Sequence, residues 1–175
     1  MNQLILVLGG IRCGKSQFAC QLANRLTKKV AVITTCIPLD EEMKARIQEH
    51  KIARPKQWQT IEEPKDIIPV LQESTKEVIL IDCLNMLISN LLLDGLTQEV
   101  ILKKISCLLE AINKKEDVCI IIVSNEVGSC LVPTNKLARQ FTDILGKANQ
   151  MVATQANEVY LLIAGIPVKI KDGDW

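Results

Sequence analysis

The sequence predicts an α/β fold, with a mostly parallel central sheet, helices on both of its faces and an antiparallel edge strand near the C-terminus. Three observations carry this expectation. Short apolar runs of strand length alternate with longer segments of helical character. Most of these runs are continuous rather than alternating, the pattern of strands covered on both faces. A glycine-rich turn follows the first run and opens the first helix. The chain has 175 residues, enough for one well-buried core, so residues 1–175 read as a single domain. Hydrophobic residues make up 48% and aromatic residues only 3%, which favours a core of Val, Ile and Leu.

The strand-length runs fall at residues 4–8, 30–34, 78–81, 118–123 and 159–163. Helices are expected over 15–27, 40–50, 84–92, 97–114 and 134–153. The last short run, 168–170, follows Gly165 and Pro167 closely and reads as a hairpin-like antiparallel strand against the one before it. The helix from Thr134 places Leu137, Phe141, Ile144, Ala148 and Val152 on one face, with Arg139 and Asp143 roughly opposite. Residues 51–64, with Arg54-Pro55 and Trp58, form the longest connection without clear periodicity, and long irregular loops are disproportionately functional.

A formal net charge of +1 provides no field to draw the chain onto nucleic acid or an anionic membrane. The most apolar stretch, 78–96, contains Asp82, Asn85, Asn90 and Asp94, so it does not read as a bilayer span, and no signal-like segment opens the sequence. A cytoplasmic protein without nucleic-acid partner or membrane insertion is expected. Seven cysteines (Cys13, Cys20, Cys36, Cys83, Cys107, Cys119 and Cys130) are scattered with no Cys-x-x-Cys pair, and His50 is the sole histidine. Neither a disulfide framework nor a zinc site is expected.

Gly9-Gly10-Ile11-Arg12-Cys13-Gly14-Lys15-Ser16 fits G-x-x-x-x-G-K-[ST] in the context that motif requires, between a strand and a helix. Backbone N–H groups of such a loop point at phosphate oxygens, and the helix that follows adds the positive end of its dipole. Lys15 would bridge the β- and γ-phosphates, and Ser16 would hold Mg²⁺ through its hydroxyl. A second metal contact is expected from an acid ending a neighbouring strand, and Asp82 closes such a run; a strand-terminal Asp can also simply cap the next helix.

His50 shares a helical face with Met43 and Ile47. A packed helix-end histidine is one reading. The other is a nucleophile: Lys51 and Arg54 follow at once, disfavour a further positive charge on the ring and can receive phosphates, and a neutral imidazole can attack phosphorus to form a phosphoramidate. Ser124 to Gly128 leaves a buried strand where ligands bind in open sheets, or is only a turn.

These residues resemble a known family almost end to end. The matching stretches are the start Leu-Gly-Gly-Ile-Arg-Cys-Gly-Lys-Ser, then Asp-Glu-Glu-Met-Lys-Ala-Arg-Ile-Gln-Glu-His-Lys with Arg54-Pro55, Trp58 and Thr60-Ile61-Glu62-Glu63-Pro64. Asp82-Cys83-Leu84, Asn90-Leu91-Leu92, Ser124-Asn125-Glu126-Val127-Gly128, Val132-Pro133 through Arg139, Asp143, Gly146, Asn149-Gln150 and the ending from Ala164 to Lys171 continue it. The chain is similar in these stretches to the bifunctional adenosylcobinamide kinase/adenosylcobinamide-phosphate guanylyltransferases of cobalamin biosynthesis.

The resemblance implies a single-domain P-loop NTPase fold of RecA-like type and a homotrimer. It implies phosphorylation of the aminopropanol hydroxyl of adenosylcobinamide from ATP or GTP, then transfer of GMP from GTP to adenosylcobinamide phosphate through a guanylylated His50, with release of pyrophosphate. Nucleotide contacts are implied for Thr34, Thr35 and Cys36, for Lys51, Ile52, Ala53 and Arg54, and for Glu62, beside residues 9–16 and Asp82 already read from the motif; Ser124 to Gly128, if more than a turn, would line the corrinoid side. Glu62 is able to accept from the N1–H and N2–H of guanine, or is only a surface acid. Cys13 stands where the family usually has serine and Cys130 where a small residue is usual. A Cys13 thiol aimed at the helix N-terminus would be oxidation-sensitive.

Two rival functions are compatible with the cradle alone. A kinase without a covalent histidine would need nothing of His50. A GTPase switch would need Asn-Lys-x-Asp after a strand, and the nearest approach, Asn113-Lys114-Lys115-Glu116, precedes one and ends in Glu.

Overall fold

The structure, a computed structural model, describes residues 3–27, 29–38, 40–129 and 131–173, and only the backbone of Arg46. Cys130 therefore lies outside the described residues. Seven strands, β1 (Gln3–Gly9), β2 (Val30–Thr34), β3 (Gln59–Glu62), β4 (Val78–Asp82), β5 (Cys119–Val123), β6 (Glu158–Ile163) and β7 (Ile166–Asp172), form one sheet in the order β3-β2-β4-β5-β1-β6-β7. The first six are parallel and β7 returns antiparallel on β6. The helices are α1 (Lys15–Leu26), α2 (Glu41–Ile52), α3 (Ile67–Glu73), α4 (Leu84–Leu93), α5 (Gln98–Asn113) and α6 (Lys136–Gln155).

Continuous apolar strands are explained by the two cores. Successive side chains of a strand point to opposite faces. Ile5, Val7, Val32, Leu80 and Ile121 meet Ala19 and Ala23 of α1 on one face, whereas Leu4, Leu6, Ile33, Ile79, Ile81 and Ile120 meet α3 to α6 on the other. Both faces are dry, so neither register carries polar residues. Among the described residues no helix is long and apolar enough to cross a membrane.

Two elements differ from expectation. Residues 51–64 contain β3, which pairs in parallel with β2 from Ala31↔Gln59 to Thr34↔Glu62. Its four residues include no buried side chain and so show no apolar period, which is why it reads as loop. Trp58, immediately before it, is anchored in the α1-side core. The seven-residue α3 is the second unpredicted element; Pro69 is tolerated in its first turn, where an N–H has no intrahelical acceptor.

On α6, Ile144, Ala148 and Val152 are buried as their spacing implies, but Leu137 is 45% exposed. Leu131 and Val132, in the segment before α6, are likewise 95% and 80% exposed.

Helix α2 packs in neither core. Asp40 caps it by accepting from the Met43 N–H at 2.7 Å, and no described side chain of the helix is fully buried. It spans the C-terminal ends of the strands, where it presents Met43, Ile47 and His50 to the site.

Candidate active site

The cradle leaves β1 at Gly9, whose φ is +154°; a Cβ there would lie 2.5 Å from Cys13 Sγ and 2.7 Å from the Leu162 carbonyl oxygen. Gly14, at φ +94°, makes the left-handed step into α1. The Lys15 ammonium, 8% exposed as a residue, donates to the Gly10 carbonyl at 2.6 Å and lies 3.8 Å from Cys13 Sγ. Burial pulls its pKa below the usual lysine range, opposed by Cys13, Cys83 and Asp82.

Asp82 ends β4 beside Thr34 of β2, which in turn lies beside Glu62 of β3. Ser16 Oγ donates to Asp82 Oδ1 at 3.1 Å, and Arg54 Nη2 donates to Asp82 Oδ2 at 2.7 Å. The two side chains of the ion pair are only 6% and 11% exposed. A hydroxyl and a carboxylate oxygen meeting at the mouth of the cradle form a hard-oxygen donor set of the kind Mg²⁺ takes, so the residues fit that ion.

Two hollows open here. One, of about 520 Å³, is lined by residues 12–17 together with Glu42, Ala45, Glu49 and His50. The other, of about 310 Å³, lies between α2 and the strand ends and takes in Ile11, Thr34, Cys36, Arg54, Glu62 and Asp82. Ser16 and His50 are in the walls of both. Met43 and Ile47 line the second with His50, so the helical face read from spacing is the face turned to the site.

The cations after His50 are not free. Lys51 pairs with Glu62 at 2.8 Å and Arg54 with Asp82, so the cationic neighbourhood expected from sequence is matched by two carboxylates. Thr35 is fully buried; its hydroxyl donates to the Cys83 carbonyl at 2.6 Å and accepts from the Cys83 N–H at 3.0 Å, tying β2 to β4 instead of lining a hollow. Ile52 and Ala53 are exposed and line neither hollow.

Asn125, within the segment 124–128 singled out from sequence as a place where ligands bind, lines the smaller hollow. The structure also adds residues that sequence reasoning did not assign: Asn85 and Met86 line the same hollow, and Asn85 Oδ1 is buried without a partner among the described residues. Asn90, 5% exposed, donates to the Thr35 and Pro64 carbonyls at 2.8 and 2.9 Å and so holds the ends of β2 and β3 against α4. For Asn85 and Asn90 the signal was polarity inside the apolar stretch 78–96, and Met86 carried none. The segment 113–116 ends α5 and precedes β5, at the end of the sheet away from the cradle, and Lys115 donates to the Gln72 and Ser74 carbonyls. It reads no base.

Solved structures similar to this chain include the RadB recombinase, with a TM-score of 0.51 and 15% identity over 91% of this chain and 73% of that one. An ATPase from the type III secretion system of pathogenic bacteria is also similar, with a TM-score of 0.55 and 12% identity over 92% of this chain and 51% of that one. At these identities they show the fold, a RecA-like P-loop core. The family described as "Cobinamide kinase / cobinamide phosphate guanyltransferase" matches residues 5–170. The "Bifunctional adenosylcobalamin biosynthesis protein CobU" of Escherichia coli strain K12 is 36% identical over 96% of this chain and 99% of its own length. The protein of the same name from Salmonella typhimurium is 37% identical over 96% and 99%, and the CobP protein of Pseudomonas aeruginosa 36% over 95% and 96%. With a cradle, a strand-terminal acid and a histidine-bearing helix gathered at one end of a RecA-like sheet, the chain belongs to the cobinamide kinase / cobinamide phosphate guanyltransferase family.

Proposed function

We propose that one cradle serves both activities of the family, presenting the γ-phosphorus of ATP or GTP to the aminopropanol hydroxyl of adenosylcobinamide and the α-phosphorus of GTP to His50. The observation that carries this reading is the position of His50, in the wall shared by the cradle hollow and the adjoining pocket.

In the first reaction the acceptor oxygen bonds to the γ-phosphorus, the bond to the β,γ-bridging oxygen breaks, and the hydroxyl proton passes to solvent or a base. Lys15 neutralises the leaving diphosphate and the backbone of the cradle orients it. Ser16 and Asp82 would hold Mg²⁺, which when bound supplies neutralisation of phosphate charge.

In the second reaction an imidazole nitrogen of His50 bonds to the α-phosphorus and pyrophosphate leaves from the cradle. A phosphate oxygen of adenosylcobinamide phosphate then bonds to the same phosphorus and the P–N bond breaks, giving adenosyl-GDP-cobinamide and restoring His50. Thr34, Cys36, Arg54 and Glu62 line the pocket that would receive the guanosine. The assembly proposed with this reading is a homotrimer, on family resemblance, measurable by light scattering.

The decisive experiment is incubation with α-labelled GTP followed by acid and base treatment. An acid-labile, base-stable label that disappears in His50→Ala is expected. A label that never forms, or that persists in His50→Ala, overturns the covalent step. Full retention of both activities by His50→Ala would instead favour the simple kinase.

A further inference from the structure

Beside the cradle, across residues 124–126, lies a second cleft of about 580 Å³. Leu8 contributes to its wall, one residue before the cradle begins at Gly9. One face of α6 supplies another wall through Thr142, Asp143, Gly146 and Gln150. The lip is the segment before α6, where Leu131 and Val132 stand in solvent.

A single segment separates this cleft from the site. Asn125 lines the His50 pocket and the next residue, Glu126, lines the cleft. The partition is held firmly: the Glu126 N–H donates to the Gly9 carbonyl at 2.9 Å, and Asn149 donates to the Asn125 carbonyl at 2.9 Å while accepting from the buried Ser124 hydroxyl at 2.7 Å. The lip is shaped by its own bonds, with Glu126 accepting from the Gly128 and Ser129 N–H groups and Arg139 donating to the Pro133 and Thr134 carbonyls. Asp143 and Gln150, by contrast, have no side-chain hydrogen bond or ion pair among the described residues. The cleft thus offers an apolar lip, unengaged amide and carboxylate groups, and a rigid rim against the reacting centre.

That chemistry matches a broad apolar body bordered by carboxamides and carrying an arm that reaches a phosphate. We propose that this cleft is the acceptor-substrate site and seats one face of the corrin macrocycle, with Leu131 and Val132 against the ring and Asp143 and Gln150 against peripheral carboxamides. The aminopropanol arm then crosses the partition at Asn125 to the cradle. This assignment rests on the function proposed above.

Gly146 supplies the test, because a Cβ built there meets nothing within 4 Å and its conformation is that of an ordinary helical residue. Gly146→Leu and Gly146→Phe therefore place bulk in the cleft, and Leu also raises helix propensity. The measurements are kinase kinetics against adenosylcobinamide, guanylylation of His50 from labelled GTP alone, the urea midpoint and the mass in solution. The expected result is a rise in KM for adenosylcobinamide of about tenfold or more, steeper for Phe, with labelling, urea midpoint and mass unchanged. An unchanged KM in a folded variant overturns the cleft assignment, as does a KM change that appears only with altered mass, which would make the cleft a subunit contact. Failure of the wild-type protein to label counts against the covalent step and leaves the KM comparison to judge the cleft separately.

Discussion

Arg54→Met isolates the buried ion pair at the centre of the site. Arg54 and Asp82 meet at 2.7 Å with side chains 6% and 11% exposed, so neither charge has much access to water. Methionine keeps much of the apolar stem and removes the guanidinium, leaving the Ser16 hydroxyl as the remaining hydrogen-bond partner of Asp82 among the described residues. Removing one partner of a buried pair typically costs about 3–5 kcal/mol, because the remaining charge keeps its desolvation penalty without its Coulombic return. In a domain of this size that corresponds to a fall in Tm of roughly 6–20 °C. Urea unfolding followed by far-UV circular dichroism, without nucleotide or added divalent ion, reads the loss directly. Adding Asp82→Asn to the Arg54→Met background should recover at least about 1 kcal/mol, since the stranded charge is then gone. A loss below about 1 kcal/mol, the size expected of an exposed pair, would refute the claim that this pair is desolvated.

Gly9→Ala should destabilise the chain by about 1–3 kcal/mol and abolish binding of a fluorescent GTP analogue, because the Leu162 carbonyl in the neighbouring strand cannot move aside from the new methyl group. Gly10→Ala meets nothing within 4 Å and should leave the urea midpoint nearly unchanged; equal losses at the two positions would contradict this account. Stability should also fall in alkaline solution. Burial, reinforced by Asp82, pushes the Cys83 thiol from its ordinary 9.0 up to about 12. Between those pH values the unfolded chain releases a proton that the folded one retains, so unfolding is favoured by up to about 1.4 kcal/mol per pH unit from this group. Cys83→Ala should flatten that part of the pH profile of the urea midpoint, and parallel profiles for the two proteins would remove Cys83 as its cause.

The parallel strands were legible because each is buried on both faces and so is written as an uninterrupted apolar run. The cradle was legible because its glycines, lysine and serine are contiguous. The short edge strand β3 was not, since none of its four side chains is buried and its pairing comes from β2 rather than from its own residues. Thr35 illustrates the converse failure. Its neighbours Thr34 and Cys36 line the pocket, yet its own side chain turns inward to Cys83, a direction that adjacency in the chain does not disclose.

The fold class, the phosphate cradle and the face of α2 that carries His50 could be read along the chain, because each depends on local order: alternation of elements, a contiguous motif and a helical period. That Lys51 meets Glu62, that Arg54 meets Asp82, and that His50 stands in the wall common to two hollows depends on folding in three dimensions. Those contacts join strands and helices whose neighbours in the sheet are not their neighbours in the chain. Only closure of the sheet in the order β3-β2-β4-β5-β1 brings Glu62, Asp82 and the cradle to one edge.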